Sequence, residues 1–231
     1  MTKKHLFAFV CLSIAIFLAY SNSLNGTWAM DDIVANKPVG IKDIHDFVGF
    51  RKIAYITFLL NQLIAPFSPL NFRLLNILIH ILNSALVYVI AYRTILLCTP
   101  LVRENTPLNP PLLRGELKGG IPVKGKSTIR LPLMNEEERG DKKLAFYAAL
   151  FSGVLFGLHP ININAVAYIV QRMASLATLF VLIALLCYIF AAQANHKKKS
   201  LILYAACGIS IVAGIFSKEN AVMAIPLILI Y

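Results

Sequence analysis

Two adjacent carboxylates, Asp31 and Asp32, follow the first apolar run of this chain. A carboxylate at a membrane surface can take a proton from an attacking hydroxyl or amide. It can also hold a metal or simply solvate a loop. Two other polar spots interrupt the apolar sequence, His159-Pro160-Ile161-Asn162 and Ser217-Lys218-Glu219-Asn220, and Arg172 opens a later apolar run. A cationic set of Lys218, Arg172 and His159, with Glu219 beside it, next to two carboxylates matches a substrate that carries both a phosphate and a sugar. Guanidinium and ammonium groups hold phosphate oxygens, while an aspartate activates the acceptor. Each residue also has an ordinary reading. An acidic pair is a solvated turn, a Lys-Glu pair between spans is an ion pair, a His-Pro is a helix stop, and an arginine at a span end is an anchor. Chemistry requires that they share one place.

The elements that would bring them together are membrane helices. The chain of 231 residues is 58% hydrophobic and 14% charged, with a mean hydropathy of +0.71. Soluble domains run nearer half apolar and a quarter charged, so the composition specifies an integral membrane protein. Long uncharged runs, without short alternating strands, make it helical rather than a barrel. The net charge of +11 sits in loops between apolar runs, where cations set topology; nucleic acid is not a partner on this reading, and the bilayer is. Cys11, Cys98, Cys187 and Cys207 lack metal-like spacing and read as buried free thiols.

The first run, Leu6 to Tyr20, follows Lys3, Lys4 and His5. It fits a cleavable signal peptide or a retained span. Its fifteen residues rise only roughly 22 Å against a core of about 30 Å, so a retained span must recruit Ser21 to Leu24. Residues 21 to 50 form a mixed-charge loop, in which the sequon Asn25-Gly26-Thr27 is read as chance. Phe50 to Ile64, with Arg51, Lys52, Asn61 and Gln62, suits a helix in the interface. Leu70 to Leu97 is a second span with Arg73 and Arg93 snorkelling at its ends; His80 and Asn83 within it bond to neighbouring helices. Leu144 to Leu158 is a third span, with Gly153 and Gly157 offering small faces, and His159-Pro160 stops it. Met173 to Gln193 and Leu201 to Phe216 are the fourth and fifth. A sixth run from Ala221 is cut at Tyr231.

Three regions result. Residues 1–98 hold two spans, the Asp-Asp loop and the interfacial helix. Residues 99–143, rich in Pro and Gly and then in charge, cannot bury enough apolar surface to order themselves and form a cytoplasmic disordered insertion. Residues 144–231 hold spans three to six, the last truncated. The expected class is therefore an all-α, polytopic helical membrane protein with about five complete spans. Lys3 and Lys4, the insertion with nine lysines and arginines against six acids, and Lys197 to Lys199 alternate with the less basic connections. By the positive-inside rule the N-terminus is cytoplasmic, the protein lies in the cell (inner) membrane, and all three polar spots open on the extracytoplasmic face.

Four stretches also carry a resemblance. Tyr20 to Gly26 with Trp28-Ala29-Met30-Asp31-Asp32, then Asn71 to Asn83, Leu158 to Ala177 and Ser217 to Val222 occur in the order found in bacterial and eukaryotic proteins that join a multispanning region to tetratricopeptide repeats. The chain resembles that family outside the insertion. The family looks like part of the GT-C glycosyltransferase superfamily, related to protein O-mannosyltransferases. The resemblance implies transfer of a sugar, a mannose or similar hexose, from a polyprenyl phosphate donor to a protein acceptor on the outer face. It implies that an acid of the first exterior loop, Asp32 or Asp31, is the base; His159, Arg172, Lys218 and Glu219 are the donor-phosphate set expected from the chemistry of their side chains. The lipid-linked sugar is a substrate, and no divalent metal is indicated. Asn162 and Asn164 stand where the family commonly carries polar or acidic residues, and this sequence ends before the repeats that the family carries after its membrane region. A shortened chain of this kind is open to being an inactive fragment. The competing reading is a non-catalytic anchor or scaffold; a transporter is disfavoured because matching broken helices are not visible.

Overall fold

In the computed structural model, residues 3–28, 32, 51–65, 68–105 and 133–231 are described, and among them the regular structure is entirely helical. Helix α1 (Lys3–Ser21) runs on into a three-ten turn, Asn22–Asn25; α2 is Lys52–Ile64, α3 Pro69–Asn105 and α4 Leu133–Leu158. After a three-ten turn at Pro160–Asn162 come α5 (Ile163–Ala167), α6 (Arg172–Ala192) and α7 (Lys197–Ile215). A three-ten segment, Glu219–Met223, leads into α8 (Ala224–Ile230). Four stretches are long and apolar enough to cross a membrane: Lys3–Asn25, Pro69–Cys98, Arg172–Ala192 and Lys197–Ile215. A fifth is counted if Gly140–Leu158 and Pro160–Ala167, bent by 45° at the break, form one span. The protein is a polytopic helical membrane protein.

The first span does recruit its flank, since the three-ten turn extends it to 23 residues. The last run forms a short apolar helix, Glu219–Ile230, up to the end of this sequence. Helix also enters the insertion from both sides, over 99–105 and 133–143, because apolar spans on either side supply a formed helix that simply continues. The Pro- and Gly-rich centre, 106–132, lies outside the described residues, as does the loop 33–50.

Helix α3 is the hub and packs against α1, α4 and α6, while α7 packs along α6. Gly157 lets α4 close on α1 and α3: a Cβ there would stand 2.6 Å from Ile16 Cδ1 and 3.0 Å from Ser84 Oγ. His80 and Asn83 bond between helices, His80 Nε2 with the Gly157 carbonyl at 3.0 Å and Asn83 Nδ2 donating to the Ser175 carbonyl at 3.0 Å. Two apolar clusters flank α3. One joins Leu12, Ile16 and Tyr20 of α1 to Ile77 and Val166. The other joins Ala54, Tyr55 and Phe58 of α2 to Phe72, Ile79, Ile169 and Met173, with Trp28 against it. The cysteines are free, but Cys11 and Cys98 face outward instead of being buried, since the outer face of a spanning helix meets lipid, where a thiol behaves as a small apolar group.

Candidate functional site

The end of α1, the start of α3, the break after α4, the start of α6 and the end of α7 all meet at one end of the bundle. The three polar spots therefore share that end, and α2 lies between them. Its C-terminal half touches α3 and α6, and its first turn meets the corner after α7, where Ile53 N–H donates to the Phe216 carbonyl at 3.1 Å.

Asp32 is fully buried. Its Oδ1 accepts the Val170 N–H at 3.2 Å, two residues before α6 begins. Asp31 lies outside the described residues. Next to this contact Arg172 is also fully buried. Its Nε donates to Asn76 Oδ1 at 2.8 Å, Nη2 to the Phe72 carbonyl at 2.8 Å and to Asn61 Oδ1 at 3.2 Å, and Nη1 to the Thr57 carbonyl at 3.3 Å. The guanidinium carbon also lies 4.7 Å from the Phe58 ring centre and 5.2 Å from that of Phe72, a cation-π geometry. The planar fork of arginine is what allows so many partners at once. These donors face protein, so Arg172 binds α2, α3 and α6 together.

The other predicted residues sit elsewhere on the same end. His159 is exposed, and its Nδ1 accepts the Ile161 N–H at 3.2 Å, capping the short turn that follows. Lys218 is half-buried and precedes the three-ten segment at Glu219. Glu219 is exposed and meets the Arg51 guanidinium at 2.7 Å. That hydrogen bond holds the Glu219 carboxyl down at about 2 and raises Arg51 above its ordinary value. Asp32 and Arg172 thus lie at one corner, on either side of the Val170-Gln171 turn, while Lys218 and Glu219 occupy a second corner at the opposite end of α2.

Sequence reasoning treats Arg73 as a snorkelling end, reads Asn61 only as a mark of an interfacial helix and gives Asn76 no role. Arg73 is instead buried. It donates to the Gly26 and Thr27 carbonyls and, through Nε at 3.2 Å, to the Ala167 carbonyl. Its length lets it reach backbone carbonyls left without donors at the end of one helix and the break of another, which is more favourable than reaching water. Asn76 Nδ2 donates to the Val166 and Tyr168 carbonyls at 3.2 and 3.1 Å. A signal was present: Arg73, Asn76, His80 and Asn83 recur every three or four residues, which places one polar stripe on one face of α3. Between the loop after α1 and α5, Arg73 also lines a groove of about 340 Å³, together with Ser23, Gly26, Asn164 and Tyr168. Among the described residues, no three of the metal-binding side chains His, Cys, Asp and Glu come together.

No family model matches this chain, and no solved structure matches it. Among curated proteins it is similar to Protein O-mannosyl-transferase Tmtc3 of Drosophila melanogaster, with 23% identity over 252 aligned positions that take in 99% of this chain. The chain spans 24% of the length of that relative.

Proposed function

We propose that the protein is a glycosyltransferase-like membrane protein whose site lies at the end of the bundle that holds Asp32. The distant likeness to a protein O-mannosyltransferase supports the class. The observation that carries the site is the placement of the Asp32 carboxylate against Val170 N–H, at the corner where α2, α3 and α6 converge. In this reading the donor is a sugar, a mannose or similar hexose, on a polyprenyl phosphate, and the acceptor is a protein hydroxyl. The carboxylate of Asp32 or Asp31 takes the hydroxyl proton as the oxygen attacks the anomeric carbon. The bond from that carbon to the phosphate oxygen breaks, the lipid phosphate departs with the electron pair, and the configuration inverts. Lys218 and His159, on the same end, steady the departing phosphate, and Glu219 with Arg51 holds the Lys218 corner. Arg172 acts by position, since its donors face protein. The end with the site is extracytoplasmic and the N-terminus cytoplasmic, in the cell (inner) membrane, which the basic loops support.

A second reading has its own support. His159 and Glu219 each have a local partner, Ile161 and Arg51, as a non-catalytic anchor or scaffold requires. One experiment separates the two. The chain and its Asp31→Asn, Asp32→Asn and doubly substituted forms are compared for transfer from a labelled polyprenyl phosphate sugar. Loss of transfer with retained folding supports the base; equal turnover in the double substitution removes it and leaves the scaffold.

A further inference from the structure

Resting on the reading of the acidic pair as the base, we propose that Asn76 is a positioning residue that fixes Asp32 through the turn at 166–170. Arg172 Nε donates to Asn76 Oδ1. With its oxygen so engaged, the amide must present its nitrogen to the other side, and both N–H groups go to carbonyls, those of Val166 and Tyr168. The carbonyl between them, of Ala167, accepts from Arg73. Three successive carbonyls at the end of α5 are therefore held by two side chains of α3, spaced so that they lie on one face.

Beyond Tyr168 the chain is short and tightly turned. Gln171 N–H bonds to the Tyr168 carbonyl at 3.2 Å and Arg172 N–H to the Ile169 carbonyl at 3.1 Å. Holding 166–168 on one side and Arg172 on the other sets the direction of the Val170 N–H, the group that Asp32 accepts. Arg73 also donates to the Gly26 and Thr27 carbonyls, at the end of the first span. The turn that carries the Val170 N–H is thus held from α3, by Asn76 and by Arg73 one turn away. A base works only when held within a fraction of an ångström of its productive place, and this arrangement supplies that constraint from a rigid helix instead of a loop.

Asn76→Asp is the discriminating variant. It is isosteric, keeps the acceptor for Arg172 and gives that cation a carboxylate, so the α2-α3-α6 junction survives, but it removes both N–H donors and turns an anion toward two carbonyls. Hydrogen exchange over 166–172 is expected to rise more than elsewhere in the bundle, with a moderate fall in melting temperature because two buried carbonyls lose their donor. With the polyprenyl phosphate sugar, kcat is expected to fall about 10²-fold with KM little changed, the signature of a misplaced group. Arg172→Lys, which keeps the charge without the planar fork, is expected to move exchange in the same segment by less, and it serves if Asn76→Asp fails to fold. Unchanged exchange over 166–172 overturns the proposal, whatever happens to turnover, and so does raised exchange with full kcat. If the parent shows no transfer, the base reading fails by itself, and exchange at Val170 still decides whether Asn76 holds the turn that carries Asp32.

Discussion

The short helix α2 is pinned at both ends by an arginine, and the two pins work by opposite physics. At its first turn Arg51 meets the carboxylate of Glu219 in water, with both side chains about half exposed. At its C-terminal half Arg172 is sealed from solvent and holds Thr57 and Asn61 through neutral oxygens, with two aromatic rings against its guanidinium. The formally stronger pair is the weaker support. In water an ion pair replaces hydration that was nearly as favourable, and salt screens it. In the interior each acceptor that loses its donor has no water to turn to. The comparison teaches that the corner holding Asp32 is rigid, whereas the Lys218-Glu219 corner can move at little cost.

The largest expected effect tests whether the rigid corner carries the chemistry. Asp32→Asn should lower transfer by about 10²-fold or more, the usual contribution of a general base, with the melting temperature nearly unchanged because an amide oxygen still accepts from Val170. Turnover assays and thermal melts in detergent decide it. Next comes Arg172→Met, which leaves Asn76 Oδ1, Asn61 Oδ1 and the Phe72 carbonyl without this donor. A loss of about 3 kcal/mol or more is expected in denaturant unfolding; a loss no larger than that of Glu219→Gln would break the comparison.

Gly157→Ala carries the same contrast into apolar packing. Its new methyl would meet the fully buried Ile16, at a cost of about 1–3 kcal/mol, whereas Gly208→Ala, with no atom within 4 Å, should be neutral or slightly stabilising. Glu219→Gln should give the smallest loss among the destabilising changes, and added salt should erase it. The folded carboxyl is depressed to about 2 from an ordinary 4.5, so its contribution is present above 4.5 and fades as pH falls from there to 2. A pH series of melts on the parent and on Glu219→Gln should converge over that window.

Much of the architecture was legible in the residues. Apolar runs of spanning length, basic loops and the His159-Pro160 stop placed the helices, because a bilayer demands continuous hydrophobicity and internally satisfied backbone. The same alternation put Asp32, His159 and Lys218 at one end. What the linear chain leaves open is how far each polar side chain travels from its own helix. Arg73 and Arg172 both sit at span ends, where a snorkelling side chain and a buried clamp have the same sequence signature. Only the approach of α2 and of the break after α4 supplies the carbonyls and amide oxygens that make burial favourable. The membrane-helix character, the order of the spans and the polar stripe of α3 are thus properties of the sequence. That the stripe meets the turn beneath Asp32, and that Glu219 turns instead to Arg51, was decided by tertiary packing, because a guanidinium or carboxylate takes whichever partner the fold brings within reach.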